Sequence, residues 1–255
     1  MKNLLLLHNR FTADDSDIWR VAIRRGWTTE RTNMFQIKKH MEGYDNVRYY
    51  GNTLHAAQIE DQLPFELSPI DYSWLAKLKL YTKRNIEYIQ YKDLIQPIQK
   101  EQFIKPARDK WFECKVFQIG ETISGSPLAD DMIYTSELVK FTDEVRCFVL
   151  DGEILTSSLY RIKTFPYDQS NENPEDINFD KRIKDTPIPQ MVKMICSKVG
   201  NGLPRGVVID FGYTENKKWS LIEFNEAWAC GLYYCDPEKC FDVIIESQQY
   251  FKLIN

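Results

Sequence analysis

The order of apolar and polar residues predicts an α/β segment at the start of the chain. An apolar run over residues 3–8 indicates a buried strand, and apolar side chains at helical spacing predict a helix over 14–25. A second strand is predicted over 45–51, and a second helix over 53–63 ends before Pro64. Strands and helices that alternate in this way are typical of a small α/β domain.

A change of pattern near residue 97 predicts a boundary between two domains. Helical spacing is present over 72–80, and residues 82–86 are predicted to begin or continue a helix. Pro97 follows, and proline interrupts regular structure. The predicted domains are an N-terminal domain over 1–95 and a second domain over 96–255, the latter with subdomains of about 96–136 and 137–255.

Short β-strands dominate the pattern after the predicted boundary. The dipeptide Asp151-Gly152 lies between two alternating apolar runs and therefore predicts a tight hairpin. A polar stretch over 165–186 predicts an exposed loop, and further helices are predicted over 188–200 and 237–253. The predicted strands are 103–106, 112–117, 132–139, 144–150, 153–161, 207–212 and 221–225.

The composition is that of an ordinary globular protein, with 43% hydrophobic and 27% charged residues among 255. A net charge of −4 does not favour a general nucleic-acid-binding surface, although a local basic groove is compatible with it. The apolar run Leu4–Leu7 is too short to cross a bilayer, so no membrane partner is predicted. The sequence leaves the oligomeric state open.

The six cysteines include no C-x-x-C pair, and no secretory signal is recognisable. Reduced thiols in a cytoplasmic protein are therefore the expectation. Three cysteines within 230–240 are spaced by five, whereas structural zinc sites usually use tighter ligand pairs. The three histidines, His8, His40 and His55, all lie in the predicted N-terminal domain and are interpreted as surface or packing residues.

Two apolar runs near the C-terminus end in side chains with hard oxygen ligands. If the runs pair as antiparallel strands, Asp210 can face Glu223 and Asn225 across the ladder. Glu223 and Asn225 are two residues apart and therefore point to the same face of the sheet. Such a set suits Mg²⁺ completed by phosphate oxygens, which points to an ATP enzyme. The same residue types also occur as ordinary turn residues, so these positions alone leave both interpretations open.

Taken in order along the chain, these motifs resemble those of the ATP-grasp superfamily. The matching segments are 144–149 with Asp151-Gly152, then 210–212, then 222–225, and the resemblance covers roughly residues 70–235. The stretch around Trp74 is similar to a small group of bacterial and phage ATP-grasp proteins. The resemblance implies an α/β plus α+β protein, in which an N-terminal α/β pre-ATP-grasp domain precedes an ATP-grasp fold of two subdomains that clamp ATP.

The resemblance also implies roles for individual side chains. ATP would be held by a strand lysine, by an earlier phosphate-binding cation (Arg84 rather than Lys83) and by the hinge between subdomains, where main-chain carbonyls meet adenine. One arginine would lie near the γ-phosphate and an acyl phosphate, and a second close to the substrate. The implied residues are Lys105, Arg84, Glu137, Leu138 and Val139 for ATP, Arg146 and Arg161 for catalysis, and Asp210, Glu223 and Asn225 for Mg²⁺.

Two segments depart from the family pattern. Residues 106–111 contain no glycine where family members usually carry a Gly-rich phosphate loop, so Arg108 or Lys110 would have to supply charge instead. Residues 226–231 replace a loop with Pro and Gly that normally lines the substrate site. The substrate therefore does not carry over from the family.

The predicted function is an ATP- and Mg²⁺-dependent ligase that joins a carboxylate to an amine through an acyl phosphate and releases ADP and phosphate. Phosphoryl transfer needs cations and Mg²⁺ ligands around the transferred group, and the chain carries both. An amino acid or peptide is the leading substrate class, with other small molecules open. The alternatives are a kinase-type or nucleic-acid end-joining enzyme on the same fold, or a non-catalytic ATP-binding module.

Overall fold

The N-terminal part of the chain folds around a three-stranded parallel sheet. The computed structural model describes residues 1–32, 37–67, 70–108, 111–125, 131–161 and 179–250. Strand β1 is central in the order β2-β1-β3, and its four leucines are fully buried, as expected for a parallel sheet. The elements are β1 (Asn3–His8), α1 (Ala13–Arg24), β2 (Thr28–Thr32), α2 (Ile37–Met41), β3 (Asn46–Tyr50), α3 (Thr53–Ile59) and β4 (Phe65–Glu66).

The predictions for this part are confirmed for strands β1 and β3 and for helices α1 and α3. Thr12 caps α1 in a capping box with Asp15, and Asn52 caps α3, so both helices begin at polar residues that satisfy free backbone N–H groups. Strand β2 was not predicted, because its sequence TTERT is polar and it lies at the sheet edge, where apolar alternation is not required.

A second, antiparallel sheet contains four strands in the order β5-β8-β6-β7. The prediction that residues 82–86 form helix is wrong, because Lys83 adopts a left-handed conformation (φ 54°) that ends α5, and a strand starts at Ile86. This strand lies before the boundary suggested at 95/96, and the division into domains stays a prediction. The elements are α4 (Trp74–Lys77), α5 (Lys79–Thr82), β5 (Ile86–Gln90), β6 (Gln102–Pro106), β7 (Lys115–Phe117) and β8 (Met132–Ser136).

The third sheet has four antiparallel strands in the order β10-β9-β11-β12. The hairpin predicted at Asp151-Gly152 is confirmed, and both residues have positive φ, as a tight turn of this type requires. Helix α6 was predicted and covers one face of the sheet. The elements are β9 (Phe141–Leu150), β10 (Glu153–Arg161), α6 (Ile188–Val199), β11 (Gly206–Thr214), β12 (Trp219–Asn225) and α7 (Pro237–Glu246).

The last predicted helix is shorter than expected. It ends at Glu246 instead of continuing to 253, and Gln249–Tyr250 forms a short strand, β13, that pairs with β4. Gln248 explains the change, because its buried side-chain amide exchanges two 2.8 Å hydrogen bonds with the backbone of Tyr49. The predicted loop at 165–186 lies mostly outside the described residues, and 179–185 form two 3-10 turns.

The N-terminal sheet and the third sheet share one hydrophobic core. Helix α7 and the segment after β12 contribute to it, and Trp228 is its largest fully buried side chain. Two hydrogen bonds tie this segment to the end of β3, from Gly51 N–H to the Trp228 carbonyl (3.0 Å) and from the Tyr50 hydroxyl to the Cys230 carbonyl (3.0 Å). Within the described residues, no helix is long and apolar enough to cross a membrane.

Candidate functional site

Three of the predicted site residues lie in one row across the third sheet. The strand register pairs Asp210 of β11 with Arg146 of β9 on one side and with Glu223 of β12 on the other. Directly paired residues of neighbouring strands point to the same face, so the three side chains lie together. Asn225 follows two positions after Glu223 and shares that face. The row predicted from the apolar runs is therefore present.

Arg146 and Asp210 form a buried bidentate ion pair. The Arg146 Nε and Nη2 atoms donate to the two Asp210 carboxylate oxygens at 3.0 and 2.7 Å, and Nη1 donates to the Gly231 carbonyl at 2.8 Å. Asp210 is 1% exposed and Arg146 5% exposed. Burial raises the pKa of the Asp210 carboxyl, and the adjacent guanidinium counteracts that rise. The pair thus keeps a charged carboxylate inside the protein.

Glu223 is held from the opposite sheet by Lys105. The Lys105 ammonium on β6 is in hydrogen-bonding contact with one Glu223 oxygen, and the Asn225 amide lies 3.3 Å from the other. The same amide donates to Asp210 at 3.0 Å. Burial raises the pKa of Glu223, but Lys105 outweighs this effect and brings it down to about 2. Lys105 and Glu223 therefore connect the second and third sheets through a charged contact.

The side chains of Asp210, Glu223 and Asn225 fit Mg²⁺ better than they fit a metal ion whose ligands all come from the protein. Two carboxylates and one amide converge, and the described residues contain no group of three His, Cys, Asp or Glu side chains that could hold a metal ion. Mg²⁺ usually takes one or two carboxylates and completes its shell with water and phosphate oxygens. The cysteines at 230, 235 and 240 are buried, and burial raises the pKa of Cys230 to about 12, which disfavours a thiolate metal ligand.

A cleft of about 1090 Å³ opens between the second and third sheets. Its walls include the predicted hinge residues Glu137, Leu138 and Val139 and the predicted cations Arg84 and Arg161. The Glu137 carboxylate accepts hydrogen bonds from the backbone and side-chain amides of Asn85, at 2.8 and 2.6 Å. These contacts lower the pKa of Glu137 and hold the predicted hinge residues against the connection between α5 and β5. The cleft is large enough for a nucleotide.

Arg84 lies in the cleft but is largely occupied by neutral acceptors. Its guanidinium donates to the carbonyls of Leu221 and Ile222 at 2.9 and 3.0 Å, and to the Thr82 carbonyl at 3.1 Å. A fourth bond, from Nε to the Ser136 hydroxyl, measures 3.2 Å. Burial lowers its pKa to about 10. Arg84 therefore links β12 to β8, a role that sequence reasoning missed because main-chain acceptors leave no signal in sequence.

The two predicted catalytic arginines occupy different places. Arg146 lies in the row with Asp210 and Glu223, whereas Arg161 lies at the end of β10, lines the cleft and pairs with Glu144. Glu144 also accepts a 2.9 Å hydrogen bond from the Tyr160 hydroxyl. Arg161 is about half exposed, so it remains accessible to a bound molecule.

Tyr233, after β12, covers the buried ion pair, a role that the sequence pattern does not indicate. Its ring centre lies 4.2 Å from the Arg146 guanidinium carbon, and the ring stacks on Tyr160 at 4.7 Å with a 15° interplanar angle. Tyr233 and Tyr234 both have positive φ (47° and 66°), which is uncommon for residues with a side chain. Strained backbone is frequently retained at functional sites.

Arg108, from the segment without glycine, lies near the end of β12. Arg108 Nε lies 3.9 Å from an oxygen of Glu226, which directly follows Asn225, while Lys110 lies outside the described residues.

Two of the histidines contact each other. His8 and His55 stack with ring centres 4.3 Å apart, and burial lowers the pKa of His55 to about 4. Such a contact fits the packing role predicted for them.

Solved structures with a similar fold include, by name, a synthetase, a ligase and a macrocyclase. The D-cycloserine synthetase DcsG superposes with a TM-score of 0.58 at 12% identity, over 96% of this chain and 99% of that one. D-alanine–D-alanine ligase from Bacillus anthracis, complexed with ATP, gives 0.53 at 9% identity, over 97% of both chains. The macrocyclase MdnC from Microcystis aeruginosa, bound with precursor peptide MdnA, gives 0.51 at 12% identity, over 96% and 99%. At these identities the likeness shows the fold.

The family itself is shown by the sequence. A comparison with curated proteins returns no match. The family model of the ATP-grasp domain, R2K clade family 2, matches residues 81–243, which is more than half of the chain. This span contains the Lys105 strand, the predicted hinge residues 137–139 and the row of Arg146, Asp210 and Glu223. Proteins of the ATP-grasp superfamily use ATP and Mg²⁺, and the chain belongs to the ATP-grasp domain family, R2K clade family 2.

Proposed function

We propose that the protein is an ATP- and Mg²⁺-dependent ligase that joins a carboxylate to an amine, with ADP and phosphate as products. The observation that carries the proposal is the contact of Lys105 with Glu223, across the two sheets that bound the cleft, beside Asp210 and Asn225. This arrangement of a cation beside oxygen ligands supports the proposal, because a triphosphate and its metal need both. Membership of the ATP-grasp family supports the same assignment.

Each side chain of the cluster has a distinct part in the proposed reaction. Asp210, Glu223 and Asn225 would hold Mg²⁺, which neutralises charge on the transferred phosphoryl group when bound. Lys105 pairs with Glu223. Once a cation replaces Lys105 at this carboxylate, the Lys105 ammonium would donate its hydrogen bond to a phosphate oxygen instead. Arg146 positions Asp210 through its bidentate contact. Arg161 at the cleft would stabilise the negative charge of the substrate carboxylate.

The proposed reaction has two steps, and in each step one bond forms as another breaks. A substrate carboxylate attacks the γ-phosphorus of ATP, and the bond from that phosphorus to the β–γ bridging oxygen breaks. ADP leaves, and an acyl phosphate remains. An amine then attacks the acyl carbon, loses a proton and displaces phosphate, which forms the amide. An amino acid or peptide is the substrate class proposed here. This substrate class is supported by the names of three structural neighbours, a D-cycloserine synthetase, a D-alanine–D-alanine ligase and a macrocyclase bound with a peptide.

The proposal is tested by calorimetric titration of a non-hydrolysable ATP analogue with and without Mg²⁺. The wild type should bind more tightly with Mg²⁺, and Glu223→Gln should lose about ten- to a hundredfold of that Mg²⁺-dependent affinity, because one ligand is removed. Glu153→Gln is the matched control, since Glu153 is exposed and pairs with Lys193 instead. Wild-type protein that binds no nucleotide would contradict the proposal.

The products then separate the ligase from its alternatives. Incubation with ATP, an N-acylated amino acid and an amino acid ester should release ADP and phosphate only when both the free carboxylate and the free amine are present. A phosphorylated product would support the kinase alternative, and AMP would support end joining. Binding with no turnover on any pair would support the non-catalytic module.

A further inference from the structure

The cleft between the second and third sheets is cationic in a chain whose net charge is −4. Six cations line it against three carboxylates, so its local charge is opposite in sign to that of the whole molecule. The cations are Lys79, Lys83, Arg84, Lys140, Arg161 and Lys218, and the carboxylates are Glu137, Glu144 and Glu215.

The three carboxylates are already committed to other partners. Glu144 pairs with Arg161, Glu215 pairs with Lys140 at 2.5 Å, and Glu137 accepts from the amides of Asn85. No carboxylate of the described residues lies within ion-pairing distance of the other three lysines. These are Lys79, Lys83 and Lys218, and we refer to them as the rim lysines.

The backbone of Lys83 indicates that a cation at this position is not incidental. Its φ of 54° and ψ of 18° end helix α5 in the left-handed conformation, where glycine is the default residue. A lysine there carries steric strain that glycine would avoid. Lys83 is also exposed, so no packing contact of its side chain explains the choice. Backbone strain retained at an exposed cation points to a function of the charge.

Lys218 is separated from the row of Asp210, Glu223 and Asn225. It precedes β12 and Glu223 lies five residues further on, so the two are roughly 16 Å apart along the strand. Lys218 at this distance cannot bond the phosphates that the Asp210–Glu223–Asn225 set would hold. Lys79 and Lys83 lie on α5 and at its end. All three can attract a polyanion on its way into the cleft.

We propose that the rim lysines steer ATP into the cleft by long-range attraction and thereby set the rate of nucleotide association. The inference rests on the proposed function, because it takes ATP as the ligand of this cleft. Clefts lined by one sign of charge focus the field and raise association rates of oppositely charged ligands by about ten- to a thousandfold. The attraction is screened beyond about 10 Å at 0.1 M salt.

The test is stopped-flow association of a fluorescent ATP analogue with Mg²⁺ at low and high salt. The variant carries Lys79→Gln, Lys83→Gln and Lys218→Gln. The control carries Lys38→Gln, Lys39→Gln and Lys198→Gln, which removes three exposed lysines outside the cleft and changes the net charge equally. At about 0.02 M salt the rim variant should associate about five- to tenfold more slowly, a larger change than that in its dissociation rate. At about 0.5 M salt the difference should vanish.

A single variant separates steering from a structural role. Lys83→Gly removes one charge and relieves the left-handed backbone, so it should melt at the same or a higher temperature yet associate about twofold more slowly at low salt. Equal association rates in all proteins, a change confined to the dissociation rate, or an equal loss in the control would overturn the inference. Wild-type protein that binds no analogue would overturn the proposed function, and the inference with it.

Discussion

Arg146 illustrates how the role of a single residue depends on its neighbours. The family resemblance assigns it to the γ-phosphate, yet in the structure it is almost fully buried and bonded to both oxygens of Asp210. Tyr233 covers the guanidinium on one side. A carboxylate that is so fully shielded from solvent keeps its charge only with a cation beside it. Arg146 thus stabilises the charged form of Asp210.

The first prediction concerns this ion pair. Arg146→Met leaves Asp210 buried without its counter-charge, so the free energy of unfolding should fall by about 3–5 kcal/mol. Adding Asp210→Asn removes the unpaired charge, and the double variant should recover part of the loss. Urea unfolding measures both quantities. A single variant that loses less than about 1 kcal/mol would show that the pair does not stabilise the charged carboxylate.

At the scale of elements, the site depends on how closely α7 packs on β11. Gly206 lies at the start of β11, and a Cβ atom there would lie 2.1 Å from the Val243 carbonyl oxygen and 2.9 Å from the Ser247 backbone nitrogen. The helix backbone therefore rests directly on the strand. Only glycine permits this approach, because any other side chain meets backbone atoms that cannot move aside by rotation.

The second prediction follows from this contact. Gly206→Ala forces α7 away from the sheet and should lower the free energy of unfolding by about 1–3 kcal/mol, as overpacking does. Gly125→Ala is the control, since its nearest atoms belong to the Trp111 side chain and backbone at 3.3 Å or more. Thermal unfolding of both variants compares them. Equal melting temperatures for the two variants would contradict the tight packing of α7.

Over the whole molecule, Arg84 and Lys105 join the two sheets that bound the cleft. Arg84 follows α5 and reaches carbonyls of β12 and a hydroxyl of β8, while Lys105 of β6 reaches Glu223 of β12. Arg84 lies within the cleft, and Lys105 lies beside Glu223. The distance between the sheets, and with it the width of the cleft, thus depends on two cations.

The third prediction concerns Arg84. Arg84→Lys keeps the charge but loses the planar fork that serves four acceptors, so unfolding free energy should fall by about 2 kcal/mol. Affinity for the ATP analogue should fall about tenfold, because the two walls of the cleft are held less firmly. Arg20→Lys on the exposed face of α1 is the control. Unchanged nucleotide affinity, measured by calorimetry, would show that Arg84 does not set the cleft.

The errors in the sequence-based description have physical causes. Residues 82–86 carry helix-compatible side chains, but the left-handed turn at Lys83 redirects the chain into β5, which is stabilised by pairing with β8 some 45 residues away. The last helix stops at Glu246 because Gln248 bonds to β3, nearly 200 residues earlier. In both cases a distant partner outweighs the local preference of the chain.

The sequence by itself determined which residues of β12 share a face, because side chains alternate with a period of two along any strand. It also determined the hairpin at Asp151-Gly152 and the family, since both depend on local order. Only the tertiary structure decided that Lys105 meets Glu223, 118 residues away, and that Arg84 bonds to carbonyls. Such contacts arise when sheets pack on each other, and the strand pattern does not encode which faces meet.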